Sequence, residues 1–281
     1  MEYSIVTGGS GVLGKEVAKF ALLRGENVYI LGRSGEKLTL IERELSAKFP
    51  KSVIKTAAVD LASETARAEF FKSFAGENGI VSALYFVAGV DTQKAFIKYD
   101  ERRIINQARV NYEAALSFTN YALKNKGKNL NILAVSSLTG VTPMPYFAEY
   151  ASLKGALISF FKALRYELKG TGVSITVLAP GSIPTRDDII ADIKKQGLTG
   201  KMSAKSPEYV VKEAFKCLDK NKFLCIPGGW NKFVYVLSKL APPAIIERVI
   251  AKKFRNKEKD VSDNRHICGN FNIRIYKSNK A

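Results

Sequence analysis

A glycine-rich turn near the start of the chain constrains the fold more than any other feature. The run Thr7-Gly8-Gly9-Ser10-Gly11-Val12-Leu13-Gly14 directly follows a short strand pattern and opens a helical pattern. Glycine tolerates positive φ and lets a phosphate approach the backbone, while a helix N-terminus offers free N–H groups to an anion. The sequence therefore predicts a pyrophosphate-binding turn, with a ligand-free tight turn as the alternative. The predicted contacts are Gly8, Ser10, Gly11, Val12, Leu13 and Gly14.

Short β-branched runs alternate with helical patterns over the first 228 residues. The candidate strands are Tyr3–Thr7, Val28–Leu31, Val53–Val59, Val81–Val87, Leu130–Val135, Val173–Leu178 and Phe223–Ile226. The candidate helices are Leu13–Arg24, Glu36–Lys48, Glu64–Phe74, Glu101–Lys124, Glu149–Lys169 and Pro207–Lys220. This alternation is typical of an α/β fold. We predict one domain over residues 1–228, a Rossmann-type doubly wound parallel sheet of about seven strands with helices on both faces.

Two segments break this alternation. Residues 183–205 form a long connection between a strand and a helix, and such connections in compact α/β domains are usually lids or binding loops. Residues 229–281 form an extension that begins with a Pro-interrupted apolar stretch, Phe233–Ile250, and continues as a basic run. We expect the apolar part to pack over the cleft or against another subunit, with contact to an anionic membrane surface as the alternative, and the Asn-rich end to be disordered. The basic run either contacts an anionic membrane surface or is simply solvated.

The chain is strongly basic, with a formal net charge of +18 over 281 residues. The excess is concentrated in the last third, because residues 190–281 hold 20 Lys and Arg but 8 Asp and Glu. Such a charge attracts phospholipid headgroups, acidic carrier proteins, nucleic acid or phosphorylated cofactors, or it serves only solubility. The basic tail has few aromatic side chains for base stacking, so we expect no specific nucleic-acid binding.

The scarcity of cysteine and histidine excludes several kinds of site. Cys217, Cys225 and Cys268 are odd in number and form no CxxC motif, which argues against disulfides and zinc and for a reducing compartment. The one histidine, His266, lies near the C-terminus, so a Ser-His-Asp hydrolase and a multi-histidine metal site are excluded. No leader pattern precedes the first strand, and Phe233–Ile250 is too interrupted to span a bilayer. We expect a cytoplasmic protein without a metal, peripheral to a membrane at most.

The second strand ends in an arginine where related nucleotide sites carry an acid. The sequence there is Leu31-Gly32-Arg33-Ser34. An acid at this point holds the ribose 2′-hydroxyl of NAD, whereas arginine suits the 2′-phosphate of NADP. We therefore predict NADP(H) as cofactor, with Arg33, Ser34 and Ser10 around the phosphate. The alternative is a solvent-facing arginine.

A tyrosine and a lysine stand four residues apart on a predicted helix. Tyr150 and Lys154 occur in the run Tyr150-Ala151-Ser152-Leu153-Lys154, so both side chains lie on one helix face. A free tyrosine has a pKa of about 10, too high for efficient acid–base catalysis near neutrality, and a neighbouring ammonium group lowers it. Ser136-Ser137 ends a strand upstream, where such sheets bind ligands, and Asn111 lies on the preceding helix.

This set of motifs resembles the short-chain dehydrogenase/reductase family, in order and at family spacing, over residues 3 to about 228. The resemblance implies that Asn111, Ser137, Tyr150 and Lys154 form the catalytic tetrad. Tyr150 would protonate the carbonyl oxygen as hydride arrives from the nicotinamide. Lys154 would lower the tyrosine pKa and bind the nicotinamide ribose. Ser137, rather than Ser136, would hydrogen-bond the substrate oxygen, and Asn111 would hold a water linking Lys154 to solvent.

The resemblance also implies further contacts with the cofactor. Asp60-Leu61 closes the third strand and would meet the adenine, and Ala88-Gly89 would lie beside the cofactor. The run Pro180-Gly181-Ser182-Ile183-Pro184-Thr185 would seat the nicotinamide carboxamide through the Ile183 backbone and the Thr185 hydroxyl. The implied cofactor-binding residues are Asp60, Leu61, Ala88, Gly89, Tyr150, Lys154, Pro180, Gly181, Ile183 and Thr185.

Three departures from the family pattern affect these expectations. The glycines at positions 8, 11 and 14 have the spacing of the extended subfamily, whereas the chain length and other motifs fit the compact one. Phe86-Val87 replaces an Asn-Asn pair, so part of the hydrogen bonding of that turn must be made otherwise. The C-terminal extension is longer than the compact fold needs.

We expect an NADP(H)-dependent oxidoreductase that transfers hydride between nicotinamide and a carbonyl or alcohol. The extension resembles that of family members that reduce bulky lipophilic ketones, so a lipophilic ketone or aldehyde is the first candidate substrate. Reduction of a 3-oxoacyl thioester is the alternative, and a non-catalytic NADP-binding regulator is a third, although the intact Tyr-Lys pair argues for chemistry. By resemblance, we expect a homodimer or homotetramer that pairs the helices containing Asn111 and Tyr150.

Overall fold

The computed structural model describes residues 1–255 and contains one seven-stranded, entirely parallel sheet. The strands are β1 Glu2–Thr7, β2 Val28–Gly32, β3 Ile54–Ala58, β4 Ile80–Phe86, β5 Lys126–Val135, β6 Val173–Leu178 and β7 Leu224–Cys225. Their spatial order is β3-β2-β1-β4-β5-β6-β7. The predicted doubly wound sheet is therefore confirmed. Its order reverses between β1 and β4, and ligands bind beyond the carboxyl ends of strands at such a switch point.

The helices connect these strands and cover both faces of the sheet. They are α1 Val12–Leu23, α2 Gly35–Lys48, α3 Glu64–Gly76, α4 Glu101–Ala108, α5 Ala114–Lys124, α6 Ala148–Glu167, α7 Asp187–Lys195, α8 Gly197–Ser203, α9 Pro207–Asp219, α10 Gly229–Leu240 and α11 Pro243–Phe254. Helices α3, α5 and α6 pack on one face, and α1, α2 and α9 on the other. Short 3-10 turns occur at Phe96–Lys98 and Leu138–Val141.

Alternating side chains of the strands feed two separate hydrophobic cores. In β1, Ile5 belongs to the core beneath α3, α5 and α6, and Val6 belongs to the opposite one. The first core contains a buried aromatic cluster in which the Phe70 and Phe118 rings stack with centroids 5.9 Å apart. Truncating a buried ring such as that of Phe118 to alanine costs about 3–5 kcal/mol. This packing holds the strand ends that carry the site in fixed positions.

The two segments that break the sequence pattern are largely helical. The predicted lid, residues 183–205, contains α7 and α8 joined at Gln196. The C-terminal extension forms α10 and α11, and the Pro242-Pro243 interruption starts α11, where proline at the first helical position is well tolerated. The predicted disorder of the Asn-rich end concerns residues outside the described part of the chain. Within residues 1–255, no helix combines the length and the apolar character needed to cross a bilayer.

The predicted helix Glu101–Lys124 is interrupted at its middle. Residues Arg109–Glu113 form a π turn between α4 and α5, and Asn111 stands inside it. Such single π turns within α-helices are frequent at functional sites, because the extra residue re-aims a side chain. The π turn therefore marks Asn111 as a candidate functional residue.

Candidate active site

The glycine turn has the geometry of an anion cradle. Gly8 has a φ of +68°, and a Cβ there would lie 2.8 Å from the Cα of Ala88. A Cβ at Gly14 would lie 2.2 Å from the carbonyl oxygen of Gly8. Gly11 caps α1 without a side-chain hydrogen bond, and the first turn carries no acid. The N–H groups at the start of α1 thus face a space that side chains leave open, which fits a dinucleotide pyrophosphate.

Two residues of this turn were missed as functional by sequence reasoning. A Cβ at Gly9 would lie 2.1 Å from Cγ2 of Ile30, so only glycine lets the turn pack on β2. The Thr7 hydroxyl oxygen accepts hydrogen bonds from the backbone N–H groups of Val87 (3.1 Å) and Ala88 (3.3 Å). Thr7 therefore holds the turn in which Phe86-Val87 replaces an Asn-Asn pair. The position of Thr7 at the end of β1 was the sequence signal that could have identified it.

The end of β2 brings together the residues predicted to surround the 2′-phosphate. A Cβ at Gly32 would lie 2.8 Å from Oγ of Ser10, so this hydroxyl sits directly against the backbone beside Arg33. Arg33 is exposed. The Ser34 oxygen accepts the N–H of Lys37 at 3.4 Å and caps α2. The Ser34 hydroxyl can still donate its own proton to a phosphate, so the arrangement fits the predicted site.

Asp60 lies on the same edge of the sheet as this corner. The N–H of Val59 donates to the carbonyl of Gly32 at 2.9 Å, which aligns the ends of β2 and β3. Asp60 is exposed, and its carboxylate accepts the N–H of Ala62 at 3.0 Å. Leu61 is buried. The carboxylate thus shapes the loop after β3, and its contact with the adenine stays a prediction.

Lys154, Asn111 and Gly89 converge at the carboxyl end of the sheet. The ammonium group of Lys154 is buried and donates to the carbonyl of Val135 at 2.9 Å. Its nitrogen lies 5.7 Å from the centre of the Tyr150 ring. A Cβ at Gly89 would lie 3.0 Å from Oδ1 of Asn111 and 3.1 Å from Nζ of Lys154. Glycine at position 89 therefore lets both polar side chains approach the strand end.

Asn111 is fully buried and hydrogen-bonded to backbone. Its amide nitrogen donates to the carbonyls of Val90 (2.8 Å) and Gln107 (3.0 Å), and its oxygen accepts the N–H of Val90 at 3.3 Å. These bonds tie the π turn to the loop after β4. Asn111 thereby positions the backbone beside Lys154, and its role in a water chain stays a prediction.

The structure distinguishes the two adjacent serines. The Ser136 hydroxyl is buried and donates to the backbone carbonyl of Lys154 at 2.7 Å, so it locks α6 to β5. The Ser137 side chain instead lies near Tyr150 and lowers the pKa of that phenol, and its oxygen accepts the N–H of Thr139 at 3.2 Å. Ser137, rather than Ser136, is thus the serine that acts on Tyr150, and its role toward a substrate oxygen stays a prediction.

The pKa of Tyr150 is shifted in the opposite direction to the one expected from a neighbouring lysine. Burial raises the pKa of Tyr150 well above its ordinary value, and the Asp91 carboxylate adds to this, while the Ser137 side chain opposes it. Burial also lowers the pKa of Lys154 to about 8, although Asp91 opposes this shift. Lys154 directs its proton to the Val135 carbonyl and is itself desolvated, so it does not offset the burial of the phenol.

A buried pair beside Tyr150 was not foreseen. The Gln107 amide donates to the Glu149 carboxyl at 2.6 Å, and both side chains are buried. Burial raises the pKa of Glu149 to about 7, while Gln107 and Arg103 oppose the shift. Because Gln107 also accepts the Asn111 amide through its carbonyl, this pair links α4 to α6 behind the tetrad.

The loop after β6 lies beside the serines. The N–H of Leu138 donates to the Pro180 carbonyl at 2.9 Å, and the N–H of Thr185 donates to the Ile183 carbonyl at 2.8 Å. A Cβ at Gly181 would lie 2.7 Å from Oγ of Ser203 and 2.8 Å from the amide of Asn231. Gly181 is thus enclosed by the end of α8 and the start of α10.

Asn231 is a further residue that sequence reasoning missed. It is buried, its amide nitrogen donates to the carbonyls of Ser203 (3.0 Å) and Pro227 (2.8 Å), and its oxygen accepts the Ser203 hydroxyl at 2.9 Å. It therefore fastens the end of the 183–205 segment to the extension. A lone asparagine after a Gly-Gly pair gave no signal of this role.

An open groove of about 510 Å³ lies next to the tetrad. Its walls are mostly apolar and include Pro143, Met144 and Ala148 on one side and Glu247 of α11 on the other. Ala151 and Ser152, which flank the groove on α6, directly follow Tyr150. The Tyr150 side chain is not part of the wall, so the groove is an approach to the site rather than the site itself.

Comparisons with known proteins agree with this arrangement. The family profile described as short chain dehydrogenase matches residues 2–192. The chain is 26% identical to Bos taurus dehydrogenase/reductase SDR family member 7B, over 91% of this chain and 82% of the relative. It is 30% identical to Bos taurus very-long-chain 3-oxoacyl-CoA reductase, over 77% of this chain and 68% of that protein.

Solved structures show the same fold. A 7beta-hydroxysteroid dehydrogenase matches with a TM-score of 0.78 at 24% identity, covering 89% of this chain and 96% of that chain. A short-chain dehydrogenase from Sphingobium yanoikuyae in complex with NADPH matches with a TM-score of 0.70 at 15% identity, covering 93% and 99%. The chain therefore belongs to the short chain dehydrogenase family of oxidoreductases.

Proposed function

We propose that this protein reduces a lipophilic ketone or aldehyde to the alcohol with NADPH. The observation that carries the proposal is the convergence of Ser137, Tyr150 and Lys154 at the end of β5, beside the glycine turn. The mostly apolar groove next to these residues supports a lipophilic substrate.

The side chains divide the reduction between them. When bound, the nicotinamide supplies a hydride to the carbonyl carbon. Tyr150 donates its hydroxyl proton to the carbonyl oxygen, so the C=O group becomes CH–OH. The raised pKa of Tyr150 keeps the phenol protonated at neutral pH, which suits the reductive direction. Ser137 orients the same oxygen, and Ser137 and Arg186 both favour the phenolate that remains, because each lowers the pKa of Tyr150.

The residues at the end of β2 support NADPH rather than NADH. Arg33 and the Ser10 hydroxyl lie at the same corner, and no acidic side chain occupies positions 32–35 at the end of that strand. A guanidinium group binds the 2′-phosphate of NADPH through paired hydrogen bonds. NADH lacks this phosphate, so the arginine would contribute nothing to its binding. Several solved neighbours were determined with NADPH or NADP bound.

A second candidate substrate is a 3-oxoacyl thioester. The 30% identity to a very-long-chain 3-oxoacyl-CoA reductase favours it, and the strongly basic surface would attract a phosphorylated or acidic carrier. The same tetrad serves both substrates, because each presents a ketone oxygen to Tyr150. Only the acyl carrier would distinguish them.

NADPH consumption against aliphatic, aromatic and steroidal ketones and a long-chain 3-oxoacyl-CoA tests both candidates. We expect turnover with at least one substrate and its loss in Tyr150→Phe. The matched control is Tyr166→Phe, which changes an exposed tyrosine on the same helix and should keep full activity. Tight NADPH binding without turnover on any carbonyl would instead favour a non-catalytic regulator.

We further infer a reducing compartment and a homo-oligomer. Cys217 and Cys225 are both unbridged in the described part of the chain. Burial raises the pKa of the Cys225 thiol, and its neighbour Cys217 adds to the shift, so the thiol stays protonated. The expected pairing through α5 and α6 is tested by light scattering of the purified protein.

A further inference from the structure

The helix α10 presents an apolar stripe to solvent. Phe233, Val236, Leu237 and Leu240 follow the spacing i, i+3, i+4 and i+7, which places them on one face. All four are between 50% and 78% exposed. A continuous apolar stripe of this kind is unusual on a monomer and marks an interaction surface.

The next helix, α11, also exposes large apolar side chains and adds positive charge. Ile245 and Val249 are 56% and 63% exposed. Arg248, Lys252 and Arg255 are exposed on the same side of the helix, since they fall at the intervening positions i+3, i+7 and i+10 from Ile245. The outer face of α11 therefore mixes large apolar side chains with cations. We call the side of α10 and α11 that carries these apolar and basic residues the outer face.

Acidic side chains are almost missing from this helix pair. Residues 229–255 contain six Lys and Arg and one acid, Glu247. Glu247 is half-buried and lines the groove, so it turns away from the outer face. The outer face thus carries no negative charge to offset its cations.

The inner faces of both helices are anchored to the body of the protein. Asn231 holds α10 to Ser203 and Pro227, and the Lys239 ammonium donates to the Val141 carbonyl at 3.2 Å. Phe254 of α11 packs edge-on against Phe147, with ring centroids 5.4 Å apart. The expectation that the apolar stretch packs over the cleft therefore holds for one side of the helices and leaves the outer side unaccounted for.

We propose that the outer face docks the protein onto an anionic phospholipid surface. The apolar side chains enter the boundary between headgroups and acyl chains, and Arg248, Lys252 and Arg255 meet the phosphates. A second copy of the chain is a poor occupant, because a two-fold contact through this face would oppose these cations to themselves. An anionic bilayer complements both the apolar stripe and the charge.

This docking is independent of the chemistry proposed for Tyr150. It deepens the proposed function in one respect, since α11 also forms one wall of the groove through Glu247. A lipophilic substrate leaving the bilayer would meet the groove at that helix.

Co-sedimentation of the full chain with vesicles tests the proposal. We expect pelleting with vesicles of phosphatidylcholine and phosphatidylserine, weaker binding in 0.5 M salt, and little binding to phosphatidylcholine alone. The variant Leu237→Gln/Leu240→Gln should lower the partition coefficient by about ten-fold or more, because two side chains lose their apolar burial. The control Leu23→Gln/Leu40→Gln changes two equally exposed leucines on α1 and α2 and should bind like the wild type.

A second pair of variants tests the charges. Arg248→Gln/Lys252→Gln should weaken binding to anionic vesicles, whereas Lys220→Gln/Lys222→Gln, exposed on the far end of α9, should not. NADPH binding by each variant reports that it is folded. Binding that survives the leucine and charge changes, or no vesicle binding by the wild type, would overturn the proposal. A concentration-dependent dimer abolished by Leu237→Gln/Leu240→Gln would instead make a second copy the occupant.

Discussion

The guanidinium of Arg186 pairs with the carboxylate of Asp91, with nitrogen–oxygen distances of 3.1 and 3.4 Å. Arg186 immediately precedes α7, and Asp91 lies in the loop after β4, so the pair ties the start of the 183–205 segment across the site. Both charges act on Tyr150, since Asp91 raises the pKa of the phenol and Arg186 lowers it. One ion pair therefore restrains the start of the 183–205 segment and also shifts the pKa of Tyr150.

Asp91→Asn should lower the pKa of Tyr150. Removing the carboxylate removes a negative charge that disfavours the phenolate and leaves the Arg186 charge, which favours it, so both changes act in one direction. We expect the Tyr150-dependent limb of the kcat/KM profile for reduction to move to lower pH. Asp219→Asn, which breaks an exposed pair with Arg24 far along the chain, is the control. An unchanged limb in Asp91→Asn would count against this electrostatic role.

Cofactor should protect the segment 183–205 from proteolysis. Its end is fastened by Asn231 and its start by the Asp91–Arg186 pair, while α7 and α8 between them are short. Contacts of NADPH with the Pro180–Thr185 loop would restrain the remaining motion. We expect slower cleavage within this segment when NADPH is present, followed by mass spectrometry of the fragments. Equal rates with and without NADPH would argue against a lid.

Gly8→Ala should damage cofactor binding and stability together. A φ of +68° is strained for alanine, and the new Cβ would meet Ala88 backbone at 2.8 Å. We expect a loss of about 1–3 kcal/mol in the free energy of unfolding and a large loss of NADPH affinity. Gly76→Ala is the control, because position 76 is open space at the end of α3. Urea unfolding measures the stability, and NADPH titration measures the affinity. An unchanged NADPH affinity in Gly8→Ala would contradict the assignment of the glycine turn as the pyrophosphate site.

Arg33→Ala should change the cofactor preference. The 2′-phosphate is the part of the cofactor that the guanidinium would bind, so KM for NADPH should rise about 10–100-fold while KM for NADH changes little. Arg43→Ala, an exposed arginine on α2, tests whether general surface charge matters. If KM rose equally for NADPH and NADH in Arg33→Ala, Arg33 would not be the residue that recognises the 2′-phosphate.

Most of the fold followed from local sequence patterns. The seven strands and six long helices are set by hydrophobic periodicity, which depends on neighbouring residues and can be read directly. The π turn at Arg109–Glu113 could not be read in this way. It is held by the bonds of Asn111 to Val90 and Gln107, which exist only once β4 and α4 are packed together.

The site was predictable in its residues and less so in its electrostatics. The family motifs identified Ser137 and Tyr150, and the Ser137 side chain lowers the pKa of Tyr150. The direction of the Tyr150 pKa depends on burial and on Asp91, neither of which a local motif encodes. Asn231 was missed for the same reason, since its partner Ser203 lies 28 positions away in the chain.

Glu149→Gln should remove a pH dependence of stability. Burial raises the pKa of Glu149 from 4.5 to about 7, so the folded protein favours the protonated carboxyl. The stabilisation by this proton is complete below pH 4.5 and is lost as the pH rises through about 7. Wild type should therefore lose about 2–3 kcal/mol more than Glu149→Gln between pH 5 and pH 8.

Urea unfolding at both pH values gives the difference. Comparing the variant with wild type at each pH cancels the titration of every other group, and Glu69→Gln, exposed on α3, controls for the loss of one negative charge. Glutamine preserves a donor and an acceptor toward Gln107, so the pair behind the tetrad is kept in its neutral form. Parallel changes of the two unfolding free energies would mean that Glu149 stays ionised, and that the 2.6 Å bond to Gln107 is made by a carboxylate.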